Sequence, residues 1–157
     1  MSCDVAMAAY LFLASAGPGG PTAASAPAVE APVAGEPLFA DIIGRAGSLK
    51  GQVEHYRTAK GLAASAGAIP LPDLSRFDAE VRALAALDMQ GHLELAKRGT
   101  DGDLKCILKG ISQDLPLKLQ QLEQASTGAA EDKALRDMAY LLNDNVEVIT
   151  APPTPPA

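Results

Sequence analysis

An acid set in the middle of an otherwise apolar helical stripe restricts the folding of this chain more than any other feature. Between Leu74 and Ala96, at 100° per residue, Leu74, Phe77, Val81, Leu84 and Leu95 fall on one side of a helix. Arg76, Ala79, Ala83, Gln90, Glu94 and Lys97 fall on the other and make an ordinary solvated face. Asp88 lies at the centre of the apolar arc, and His92 sits one turn on, at its edge. A buried lone carboxylate is strongly unfavourable, so a fold that uses this stripe must bring Asp88 a partner or neutralise it. The nearest side chain able to serve is His92 at i+4, and the sequence predicts an Asp88–His92 polar pair inside a helical core.

The rest of the ordered body has the same helical period. A first segment runs from Leu38 to Ser65 with Leu38, Ile42, Ala46, Leu49, Val53 and Tyr56 in its stripe, and Ala66-Gly67-Ala68-Ile69-Pro70-Leu71-Pro72 stops it. The second starts near Asp73 or Ser75 and closes at Arg98-Gly99, with cations in the last turn where the helix dipole favours them. The third opens after Asp101-Gly102-Asp103 and carries Leu104, Ile107, Leu108, Ile111, Leu115, Leu119 and Leu122 in unbroken phase through Pro116, which predicts one helix kinked at the proline. The fourth spans Ala129 to Asn143 through Leu135, Met138, Leu141 and Leu142, and Val146–Thr150 reads equally as a last helical turn or an extended segment. Four amphipathic segments with short connections predict an all-α fold, an antiparallel four-helix bundle over residues 38–150, with Leu84, Ile111 and Leu142 in its core.

Composition agrees. Hydrophobic residues make up 48% of the 157, but alanine supplies much of that, aromatics only 4%, and there is no Trp. Small apolar side chains at this level suit close-packed helices better than a β-sandwich. A net charge of −6 without a basic stripe argues against nucleic acid as a partner.

The flanks are of another kind. Val5–Leu13 is an apolar run too short to span a bilayer, followed by Ala14-Ser15-Ala16, so residues 1–16 have the outline of a signal peptide with mature protein starting near Gly17. The leading Met1-Ser2-Cys3-Asp4 lacks the basic residue such a peptide normally carries. A periplasmic or secreted protein of the bacterial cell envelope is the expectation, with a cytoplasmic one as the alternative. Residues 17–37 are almost entirely Pro, Ala and Gly and predict a disordered linker, and residues 151–157 a short Pro-rich tail. Cys3 and Cys106 are too few for a disulfide framework and are expected as free thiols; cleavage after Ala16 would leave Cys106 alone.

Chemistry-bearing residues are few. A metal at Asp88 and His92 needs two or three further ligands, and the chain has neither Glu-x-x-His nor His-x-x-x-His, so no metal or cofactor is expected. His55 falls opposite the first stripe. The run His55-Tyr-Arg-Thr-Ala-Lys60-Gly61 resembles the His-x-x-Lys-Gly core of histidine-containing phosphotransfer domains, which are also four-helix bundles. That resemblance implies a phospho-accepting His55. It departs from the motif in placing Lys60 at i+5, about 140° round the helix from the histidine instead of one turn on. On the side of His55 also lie Gly44, Gly47 and Gly51, each costing about 0.8–1 kcal/mol of helix propensity relative to Ala, which predicts a packing ridge for a close neighbour. The expected function is a non-enzymatic interaction or accessory protein that binds a protein partner or itself. Histidine phosphotransfer at His55 and metal or small-ligand binding around Asp88 and His92 are the alternatives.

Overall fold

Pro37 opens the first long helix, where a missing N–H costs nothing and a fixed φ favours the turn. In the computed structural model, which describes residues 33–59, 61, 64–99 and 103–151, a single 3-10 turn at Val33–Gly35 precedes this helix, α1 (Pro37–Ala59). Helices α2 (Leu74–Lys97), α3 (Leu104–Glu123) and α4 (Gly128–Thr150) follow. Among the described residues there is no strand, and no helix is long and apolar enough to cross a membrane. The expected signal peptide and nearly all of the expected linker lie outside the described residues. The linker's last residues instead belong to the 3-10 turn and the first residue of α1.

The helix ends follow their local chemistry. Thr127 caps α4 from an extended backbone, its hydroxyl accepting the Ala130 N–H at 3.2 Å. Gly99 at φ +70° ends α2 in the left-handed region that a C-terminal glycine reaches without strain. Asp73, between Pro72 and α2, holds φ +54° with no side-chain cap. Among side chains other than glycine, the short polar ones of Asp and Asn tolerate this conformation best. Helix α3 runs through Pro116 unbroken, as its phase requires. One boundary differs from expectation, α1 ending at Ala59 rather than Ser65; of the two readings open for Val146–Thr150 the helical one holds, so α4 runs two turns beyond Asn143.

The helices pack α1 on α2, α2 on α3, α3 on α4 and α4 on α1, which places them at the corners of a square with α1–α3 and α2–α4 as diagonals. Phe39, Ile42, Val53, Phe77, Val81, Leu108, Leu115, Leu135 and Met138 fill the centre and are fully buried, with Leu84, Ile111 and Leu142 at 0%, 4% and 0% exposure, as their phase predicts. The close-approach glycine of this core is Gly91. A Cβ there would stand 3.1 Å from Leu108 Cδ1, 3.3 Å from Phe39 Cε1 and 3.4 Å from Ile42 Cδ1, so the bare Cα lets side chains from α1 and α3 meet on α2.

Polar ties reinforce the seams. Arg57 binds Asp132 at 2.9 Å and Lys50 donates to Asn143 at 2.9 Å between α1 and α4, while Lys118 reaches Asp137 at 3.2 Å between α3 and α4. The buried Glu131 carboxylate, in the first turn of α4, accepts the Ile69 N–H at 2.7 Å and pins the segment that leads into α2. Tyr56 holds the same segment through its hydroxyl, which donates to the Pro72 carbonyl at 3.2 Å, while its ring packs edge-on against Phe77.

Candidate functional site

Asp88 is buried completely, as its place on the stripe demands, but its partner is not His92. The carboxylate is met from the opposite corner of the bundle by Asn145 of α4, which is also fully buried. Asn145 Nδ2 donates to Asp88 Oδ1 and Oδ2, at 2.9 Å each. The i+4 rule pairs side chains that lie along a helix surface, whereas a side chain aimed at the bundle axis meets what the other helices send inward. The residue that α4 sends inward is Asn145.

Desolvation dominates the electrostatics of this pair. It pushes the Asp88 carboxyl up to about 7, and the hydrogen bond from Asn145 only partly opposes it. The fit is incomplete. With both carboxylate oxygens converging on Nδ2, the amide oxygen of Asn145 is buried with no hydrogen-bond donor. It is the only such side-chain atom among the described residues, where buried polar atoms are normally satisfied.

His92 has a separate task. Its ring is half-buried, and Nδ1 lies 2.7 Å from the Lys105 carbonyl of α3. A carbonyl only accepts, so Nδ1 carries the proton in this contact, which ties α2 to the start of α3. Asp88 and His92 are therefore adjacent turns of one helix engaged with two different neighbours. Among the described residues no group of three His, Cys, Asp or Glu side chains is placed to hold a metal ion.

The outer side of α1 is the second notable region. Opposite the Phe39/Ile42/Ala46/Leu49/Val53 stripe, Ala40, Gly44, Gly47 and Gly51 lie within about 60° of the outward direction, and all are exposed. No described atom comes within 4 Å of a Cβ built on any of the three glycines, so the ridge has no close neighbour inside the bundle. Exposed Ser48 lies in the same sector, and Asp41 at its edge pairs with Arg45 at 2.9 Å. Beside this edge an open polar cleft of about 210 Å³ separates α1 from α2, lined by Arg45, Ser48, Leu49, Gln52, Arg76 and Glu80. His55 continues the outer face and is exposed, while Lys60 lies outside the described residues. Cys106 is half-buried near the start of α3 and is not the free thiol expected.

Asn145, Glu131, Asp132 and Gly91 escape the sequence reading. For Asn145 a signal existed: Met138, Leu142, Asn145 and Ile149 form one i, i+4, i+7, i+11 row. No protein-family model, curated protein or solved structure matches this chain.

Proposed function

We propose that this protein is a non-enzymatic helical interaction module that docks a helix of another protein chain on the outer face of α1. The observation that carries this reading is an exposed row on that face: Ala40, Gly44, Gly47 and Gly51 carry nothing larger than a methyl group, with Ser48 and Asp41 flanking them. Solvated faces elsewhere carry i,i+4 ion pairs, such as Arg76–Glu80 and Arg82–Asp78 on α2 and Lys133–Asp137 on α4. The glycine row forfeits helix propensity, and the Asp41–Arg45 pair stands only at its edge. The row offers in return a surface on which a second helix approaches closely over its whole length.

A photo-crosslinking residue in place of Gly47, in the full chain expressed in its source cells, tests this reading. Discrete adducts are expected there, absent when the probe replaces exposed Lys133 on α4 and lost when Gly51→Glu is added. Equal labelling at both positions, or none at either, counts against it.

The same face yields a stability prediction. Because Gly47 has open space around it, Gly47→Ala is expected to raise the stability of the unbound protein by about 0.5–1 kcal/mol through helix propensity alone. Gly91→Ala is expected to gain less, since its new methyl presses on Leu108 and Phe39. Denaturant midpoints compare the two directly.

A further inference from the structure

The diagonal position of Asp88 and Asn145 gives the pair a property that a contact between neighbouring helices lacks. Helices α2 and α4 do not pack on one another, and among the described residues the other polar links from α4 to the rest of the bundle run to α1, to α3 or to the segment before α2. Among the described residues the two hydrogen bonds between Asp88 and Asn145 are the polar link between α2 and α4. We propose that this pair is a proton-operated latch across the bundle, closed when Asp88 is protonated and loosened when it ionises.

The atoms support the two states. A carboxylate is an acceptor only, so an ionised Asp88 gathers Asn145 Nδ2 onto its oxygens and leaves the amide oxygen of Asn145 with nothing, which is the arrangement seen. A protonated Asp88 has one O–H to donate. A modest rotation of the amide then lets that O–H donate to Asn145 Oδ1 while Nδ2 donates to the carboxyl C=O, so each of the four polar heavy atoms of the pair has a partner. The proton thus converts a buried charge with an orphaned acceptor into a neutral, closed ring of two hydrogen bonds.

No charge nearby takes over the role of the proton. The buried side chains of α1 are all apolar. Helix α3 contributes the buried Lys105, together with Ser112, whose hydroxyl is engaged with the Lys109 carbonyl. On α4 the buried acids Glu131 and Asp132 stand about 20 Å along the helix from Asn145, while Asp144, next to it, is half-buried and itself raised by burial. On α2 the nearest titratable group is His92, engaged with the Lys105 carbonyl. The shift of Asp88 arises from burial and Asn145 alone, with no contribution from any charged group.

The sign follows from linkage. A carboxyl raised from its ordinary 3.8 to about 7 on folding binds its proton more tightly in the folded state, so its contribution to stability is greatest at low pH and falls as pH rises from about 4 to about 7. Hydrogen exchange of the full chain, corrected for intrinsic rates, reads this directly. Between pH 6 and 8 the opening constant for amides of α2 and α4 around the pair is expected to rise roughly tenfold in the wild type. In Asp88→Asn, and in the non-titrating apolar variant Asp88→Leu, it is expected to stay flat. A flat wild-type profile overturns the latch whether or not either variant folds. So does the same tenfold rise in a folded variant, which would assign the pH dependence elsewhere.

Discussion

Leu84→Ala is expected to lower the stability of the bundle by about 2–5 kcal/mol, the cost of a leucine deleted from a packed core together with the cavity it leaves. Leu84 has no exposed surface and lies one turn before Asp88 on the same face of α2. It belongs to one contiguous buried cluster to which all four helices contribute. Chemical denaturation measures the loss as a shift of the midpoint. For a domain of marginal stability it removes a large fraction of the total. A variant melting within a degree of the parent would mean that Leu84 does not face the core.

Asp88→Ala is expected to destabilise by about 1–3 kcal/mol, because it strands the Asn145 amide in a dry core with neither of its hydrogen bonds. Asp88→Leu removes the same hydrogen bonds but refills the space with apolar volume, and a well-packed apolar side chain often matches a buried polar group. The leucine variant is therefore expected to be clearly more stable than the alanine variant, and to gain on the wild type as pH rises. This gain follows because only the wild type carries the penalty of a buried ionised carboxyl above neutrality. Urea titrations of the three proteins at pH 6 and pH 8 give the full set of differences. Equal destabilisation by Ala and Leu at both pH values would show that Asp88 does not sit in the core environment described here.

Much of the fold was legible from hydrophobic period alone, because helices in a bundle bury one stripe each and little else competes with that signal. The core positions Leu84, Ile111 and Leu142 and the continuity of α3 through Pro116 follow from phase. The end of α4 did not, because Val146, Val148 and Ile149 are β-branched and locally neutral between helix and strand; packing on the bundle decides for helix. Asn145 lies just past the expected end of the helix at Asn143, which hid the true partner of Asp88. A sequence shows that a buried acid needs a partner and shows which residues share its helix surface, but the diagonal of a bundle is a tertiary fact. The glycines divide in the same way. Gly44, Gly47 and Gly51 stood out by their spacing yet meet nothing inside the bundle, while Gly91, unremarkable in sequence, is where α1 and α3 side chains converge.

The measurement that bears most directly on the buried Asp88–Asn145 pair is the carboxyl-carbon NMR titration of Asp88 in the folded full chain, assigned by comparison with Asp88→Asn. A midpoint near 7 is expected, from burial opposed only in part by the Asn145 hydrogen bond. A midpoint near 4, the range of a solvated aspartate, would contradict the closed, dry diagonal on which the pair and the latch both rest.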